Sequence, residues 1–207
     1  MQIVVLVDEV GKEEFMVKKL NANIQVTFAE SFSNLINYKT ADAFFILEKE
    51  LDKKNINTLG GKPVFINSTI DTLKELELPE NCSRINGWPT FINREIWEIA
   101  TKNKNAVKKI FEKLEWKYIT VADEAGLVSA RIISMIINEA YFALGEDVSS
   151  KVEIDLAMKL GTNYPYGPFE WSRKIGLQKV YTLLEKLSKT DTRYNIAAAM
   201  KNEISNS

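Results

Sequence analysis

The chain has 207 residues, with 27 lysines and arginines against 28 aspartates and glutamates, for a formal net charge of −1. At 45 % hydrophobic and 27 % charged, with 9 glycines and 5 prolines, the composition disfavours a disordered, collagenous or low-complexity chain. Balanced charge gives no electrostatic reason to expect nucleic acid or an anionic membrane as partner. The sequence contains no histidine, so no imidazole can act as general base, proton relay or metal ligand. Cys82 is the single cysteine, which excludes an intrachain disulfide and a cysteine-built zinc site and suits a reducing compartment. The opening MQIVVLVDEV has no basic stretch ahead of its apolar run, and no apolar run approaches the roughly 20 residues of a membrane span. The expectation is a soluble, cytoplasmic protein.

In chain order, residues 2–7 (QIVVLV) read as a buried strand. Residues 13–20 follow as a short helix with Phe15, Met16 and Leu20 on one side. Residues 24–28, 43–47 and 64–66 read as three more strands, with Pro63 just ahead of the last, where a missing N–H costs least. Strands spaced by helical pieces suggest βαβ units and a small parallel sheet. In residues 106–114, Val107, Ile110, Phe111 and Leu114 form the apolar stripe of a sheet-covering helix. Its Lys102, Lys104, Lys108, Lys109 and Lys113 read as a solvated face, because glutamates lie nearby and only one aromatic interrupts them. Residues 118–121 (YITV) look like a last strand, giving four or five in all.

After Asp123 the pattern is helical only. Ile132, Ile133, Ile136, Ile137, Ala140, Tyr141 and Leu144 make a wide apolar stripe, with Arg131, Ser134 and Asn138 lying off it. Ser150 with Glu153 is a capping-box signature, and Gly161 is placed to end that helix. Residues 177–187 and 194–204 read as two further helices. The expected organisation is an α/β domain over 1–122 and an all-α domain over 123–207.

A sheet that begins this way raises the question of a dinucleotide site, which wants glycines just after the first strand so that backbone N–H groups can reach a pyrophosphate. That turn holds Asp8, Glu9, Val10, Gly11, Lys12, Glu13 and Glu14: one glycine and four carboxylates. Glu30 stands near where a ribose-binding acid would fall, although an acid at a strand end is ordinarily just solvated. No cofactor-binding residue is assigned. Without histidine or paired cysteines no metal site is expected, and no spaced acidic loop of the EF-hand kind occurs. No G-x-S-x-G is present, and Cys82 has no histidine to activate it.

The second half is more specific. Asn138-Glu139-Ala140, Glu153-Ile154-Asp155, Ala157-Met158-Lys159-Leu160-Gly161 and Tyr164-Pro165-Tyr166-Gly167-Pro168-Phe169-Glu170 follow one another in order. This series resembles the C-terminal domain of the 3-hydroxyacyl-CoA dehydrogenases. The resemblance continues less strongly through 63–123 and faintly to the N-terminus. It implies a short Rossmann-like parallel-sheet domain followed by a helical domain of the 6-phosphogluconate/3-hydroxyacyl-CoA dehydrogenase type. It also implies NAD as cofactor, a CoA thioester as ligand, and a homodimer formed through the helical domain.

In that family a histidine paired with a glutamate takes a proton as the 3-hydroxyl loses hydride, and a serine or threonine and an asparagine assist. The resemblance places the glutamate at Glu98. Counting back twelve puts the histidine position at Asn86, whereas anchoring on Gly87 and accepting a deletion puts it at Pro89; neither residue is a base. A bland reading of Glu98, as a surface or helix-start carboxylate, also stands. The helpful hydroxyl falls at Thr69 within Asn67-Ser68-Thr69, and the assisting asparagine is replaced by Ala130, ahead of Arg131. The expectation is a degenerate relative, with Glu98, Asn86 and Thr69 as remnant site positions and NAD implied by resemblance alone. The competing expectations are an active enzyme using Glu98 without histidine, and a partner or regulator of a true dehydrogenase.

Overall fold

The β-branched run at the start of the chain forms β1 (Gln2–Leu6), in which Ile3, Val4, Val5 and Leu6 are wholly buried. A strand covered on both faces has little use for polar alternation, which explains the unbroken apolar run. In the computed structural model, which describes residues 1–47 and 56–206, β1 is flanked in parallel by β2 (Gln25–Ala29) and β3 (Ala43–Ile46). The sheet continues in parallel through β4 (Val64–Asn67) and β5 (Cys82–Ile85). It then reverses: β6 (Ile96–Thr101) runs antiparallel to β5, and β7 (Lys117–Thr120) runs parallel to β6. The order is β2-β1-β3-β4-β5-β6-β7. A single strand, β2, lies outside β1, where the dinucleotide-binding arrangement has two.

The four or five strands expected are thus corrected to seven among the described residues, the last two opposing the others. The two that escaped the reading, CSRI and IWEIAT, are interrupted by Arg84 and Glu98. A charged residue breaks the apolar run by which a buried strand is recognised, and only tertiary context shows that Arg84 is buried all the same.

On one face of the sheet, α1 (Glu9–Met16) and α3 (Lys104–Leu114) cover Ile3, Val5, Phe45, Phe65, Ile85, Trp97 and Ile99. Phe15 contributes from α1, and Val107, Ile110, Phe111 and Leu114 from α3, the stripe the spacing predicts. The opposite face packs Val4, Leu6, Phe44, Ile46, Val64 and Ile66 against Leu35, Leu59 and the short helix α2 (Leu73–Leu76). Helix α1 starts four residues before the expected position because the Asp8 side chain accepts the Gly11 N–H at 2.7 Å. An aspartate N-cap supplies a partner for an otherwise orphaned donor.

The described chain divides into two units, Met1–Leu127 and Val128–Ser207. The second consists of α4 (Ser129–Gly145), α5 (Lys151–Thr162), α6 (Pro168–Ile175), α7 (Leu177–Ser188) and α8 (Ala198–Ser205). Ile133, Ile137, Ala140 and Tyr141 of α4 are buried within it, under α6, α7 and α8. Ser150 and Glu153 make both halves of the capping box that their spacing predicts. Gly161 does not end α5; the helix runs on to Thr162, and Asn163 takes the left-handed conformation at φ 55°. The helix expected over 194–204 is divided. A 3₁₀ turn, Thr192–Tyr194, precedes an extended stretch that the Asn138 amide holds by donating to Asn195 O at 2.8 Å and accepting from Ala197 N at 3.0 Å. Among the described residues no helix is long and apolar enough to cross a membrane.

Candidate functional site

The carboxyl ends of β1, β3, β4 and β5 share one edge of the first unit, the edge at which open α/β sheets bind ligands. Asn67, the last residue of β4, fixes the middle of that edge. Its Nδ2 donates to Leu47 O and to Gly87 O, both at 3.1 Å, and its Oδ1 accepts from Gly87 N at 3.0 Å. A Cβ on Gly87 would lie 2.9 Å from Asn67 Cβ and Cγ, so this clamp requires glycine.

Asn86 follows β5 directly and is buried, its Oδ1 accepting from Trp88 N at 3.1 Å. The antiparallel register pairs Arg84 with Ala100 and Ile85 with Ile99, its last pair before Asn86. Trp97 and Ile99 point into the core beneath α1 and α3, so strand alternation turns Glu98 to the other face. Glu98 is half-buried, and its charge acts on Arg94, whose guanidinium burial pulls below its ordinary value. It belongs to a strand, so the helix-start reading of this carboxylate does not hold. Pro89, the other histidine candidate, precedes Thr90, which has φ 76° and donates its N–H to Glu14 Oε1 at 2.6 Å. A β-branched residue in that region is under strain.

Thr69 is buried two residues beyond β4. The loop that carries it is held by Arg84, a side chain missed as a functional element because it stood in an otherwise apolar strand. Its guanidinium is wholly buried, with Nη1 2.5 Å from Asp123 Oδ1, Nε donating to Ser68 O at 2.8 Å, and Nη2 donating to Thr69 O at 3.3 Å and Glu124 O at 3.4 Å. Asp123 also accepts from Leu73 N, and Gly126 N donates to Thr69 O at 2.6 Å. Burial pulls the guanidinium below its ordinary value, while the Asp123 hydrogen bond and charge oppose the shift. Thr69 and Asn86 therefore follow the ends of β4 and β5, while Glu98 lies within β6 of the same unit. Ala130, in the other unit, is wholly buried on α4, and Arg131 lies over the Tyr194 ring at 5.9 Å.

The turn after β1 does not fit a dinucleotide pyrophosphate. The Asp8 carboxylate already occupies the N-terminus of α1, where phosphate oxygens would be received, and Glu9 follows it in the first turn. Gly11 serves packing instead: a Cβ there would meet Val7 Cγ2 at 2.4 Å and Ile92 Cδ1 at 3.1 Å. Glu30 is exposed just beyond β2. Among the described residues no group of three or more acidic or cysteine side chains could hold a metal ion. Cys82 is buried, which pushes its thiol up to about 12.

The most distinctive stretch of the sequence proves to be a helix cap. Asp155 of α5 accepts from Phe169 N at 2.7 Å and Glu170 N at 3.1 Å at the start of α6. Glu170 reaches back to Gly167 N at 3.0 Å and pairs with Lys159 at 2.6 Å, and Pro168 takes the first turn, where its missing N–H is harmless. A Cβ on Gly167 would fall 2.5 Å from Asp155 Cα. Gly167→Ala is therefore expected to destabilise the second unit by about 1–3 kcal/mol. Gly161→Ala, with open space around it inside a helix, is expected to stabilise by up to about 1 kcal/mol. Thermal unfolding by circular dichroism checks both, and equal effects would refute the assignment.

Residues 126–205 match the family model of the 3-hydroxyacyl-CoA dehydrogenase C-terminal domain. The 3-hydroxyadipyl-CoA dehydrogenase of Escherichia coli K12 is 48 % identical over 69 residues, covering 33 % of this chain and 14 % of that protein. A probable 3-hydroxybutyryl-CoA dehydrogenase of Bacillus subtilis is 36 % identical over 91 residues, covering 43 % and 32 %. The matches cover a third or less of these curated relatives. Among solved structures, the (S)-3-hydroxybutyryl-CoA dehydrogenase of Ralstonia eutropha superposes with a TM-score of 0.73 at 19 % identity, over 99 % of this chain and 93 % of that one. The 3-hydroxybutyryl-CoA dehydrogenase of E. coli K12 gives 0.56 at 30 % identity, over 67 % and 31 %. The fold is thus shared across both units and the sequence chiefly across the second, where residues 126–205 match the 3-hydroxyacyl-CoA dehydrogenase C-terminal domain.

Proposed function

We propose that this chain is a 3-hydroxyacyl-CoA dehydrogenase relative that binds a CoA thioester at the carboxyl edge of its sheet and transfers little or no hydride. The observation that carries the reading is a chain without histidine, in which both candidate positions, Asn86 and Pro89, lack a base. An amide cannot accept a proton near neutral pH, so Glu98 has no base to polarise. Asp8 on the α1 N-terminus supports the second half of the reading, the absence of NAD binding. Acyl-CoA chemistry is named in each curated relative, and Thr69 keeps a hydroxyl on the same edge. Thermal-shift titration tests this: acetoacetyl-CoA at a hundred times its Kd should add about 2.7 kcal/mol. A flat response to acetoacetyl-CoA and to CoA would refute it. A second reading, an active dehydrogenase in which Glu98 acts as base through a water, draws on the half-burial of Glu98. A cytoplasmic location belongs to the same proposal, resting on the single, buried cysteine.

We also propose a homodimer through the helical unit, with its surface on α5. Ile133 and Ile137 are covered inside the unit, while Ile132 of the same stripe is 55 % exposed. A longer exposed apolar row is on α5, where Val152, Leu156 and Leu160 are 77 %, 52 % and 78 % exposed at successive turns. An isologous pairing would set this row against its own copy. Light scattering at tens of micromolar protein is expected to give twice the 23.6 kDa of one chain. Leu156→Glu should return it to one chain without loss of helical circular dichroism. A wild-type mass of 23.6 kDa would end this proposal.

A further inference from the structure

Asn86-Gly87 is the sole asparagine–glycine pair in the chain. In a flexible chain this pair is chemically labile, because glycine has no Cβ to keep its backbone nitrogen away from the asparagine side-chain carbon. Here it stands at the carboxyl edge of the sheet, directly after β5, and hydrogen bonds restrain both residues. Gly87 N donates to Asn67 Oδ1 at 3.0 Å, and Gly87 O accepts from Asn67 Nδ2 at 3.1 Å. Asn86 Oδ1 accepts from Trp88 N at 3.1 Å, which closes an Asx turn and fixes the side-chain amide. Asn86 is also buried.

A Cβ at position 87 would lie 2.9 Å from Asn67 Cβ and Cγ, so the clamp demands glycine there. The contact that restrains the pair is thus the one that makes it labile. While the clamp is closed, the Gly87 nitrogen is bonded to Asn67 and the Asn86 amide to Trp88, each held by a group other than its reaction partner.

We propose that Asn86 is a self-modification site of this chain, converted to aspartate and isoaspartate, and that local opening of the Asn67 clamp sets its rate. Gly87 N attacks the side-chain carbonyl carbon of Asn86 and a C–N bond forms. The bond from that carbon to Nδ2 breaks, ammonia leaves with the proton that Gly87 N gives up, and a five-membered succinimide remains. Water then adds to either of its carbonyls and opens it to aspartate or isoaspartate. The product places a carboxylate in a buried position, where a charge costs far more than the amide it replaces.

The test follows Asn86 by residue-resolved mass spectrometry in wild-type protein at mildly alkaline pH, beside a synthetic peptide of residues 83–92. Wild type is expected to convert at least about a hundredfold more slowly than the peptide, since only the open fraction reacts. Asn67→Ala removes the hydrogen bonds of the clamp and is expected to convert about tenfold faster than wild type. Val107→Ala is the control, because Val107 belongs to the core under α3 and takes no part in the clamp. It should lose comparable global stability, checked by urea titration, and leave the Asn86 rate unchanged. Equal acceleration in the two variants, or none in Asn67→Ala, overturns the proposal, as does conversion of wild type at the rate of the peptide. If Asn67→Ala does not fold, wild type in urea below its unfolding transition decides. Local opening exposes little surface, so the rate should stay flat; a rate climbing as steeply as global unfolding overturns the assignment.

Discussion

Asp123→Ala is expected to destabilise the first unit by about 3–5 kcal/mol, the cost of leaving a buried charge without its partner. The Arg84 guanidinium is wholly enclosed, and Asp123 supplies its counter-charge at 2.5 Å while also accepting from the first N–H groups of α2. The three carbonyls that Arg84 also reaches supply hydrogen bonds without neutralising charge. The pair Lys117–Glu95 has the same 2.5 Å separation, but its side chains are 68 % and 73 % exposed. Solvent screens such a pair, so Glu95→Gln is expected to leave stability unchanged. Urea titration followed by tryptophan fluorescence measures both. A loss below about 1 kcal/mol for Asp123→Ala would mean that the Arg84 network does not hold the Thr69 loop as described.

Oxidation of NADH by this protein in the presence of acetoacetyl-CoA is expected to be absent. Two independent defects lead there. Losing the general base removes about 10² to 10⁴ in rate, and both candidate histidine positions, Asn86 and Pro89, hold residues that accept no proton. Separately, the Asp8 carboxylate competes for the helix N-terminus that a pyrophosphate needs, so NAD is expected to produce no thermal shift. Because the defects are independent, Asn86→His alone is expected to restore nothing, although it puts an imidazole at one of the two candidate positions. Turnover within about a hundredfold of an ordinary dehydrogenase, abolished by Glu98→Gln, would establish the direct-base reading in place of this one.

Much of this could be read from residues near one another in the chain. The β1 run, the α3 stripe and the Ser150–Glu153 capping box depend on spacings of a few residues, and their structures follow the pattern. The missing histidine is a fact of composition that no fold can change. What the sequence left open were choices between distant partners. The reversal at β6 is decided by pairing between Ser83 and Thr101, whose hydroxyls meet at 2.8 Å, and by Trp97 and Ile99 filling the core under α3. Of the wide α4 stripe, Ile133, Ile137, Ala140 and Tyr141 are covered by α6, α7 and α8 and Ile132 is left exposed, while a longer exposed apolar row falls on α5. Gly167 looked like part of a chemical signature and is held to glycine by the Asp155 backbone twelve positions earlier. Short-range hydrogen bonds and periodicity are set by neighbours, so sequence alone fixes them; a buried arginine, a reversed strand or a covered face is set by which distant surfaces pack together, and only the tertiary structure contains that information.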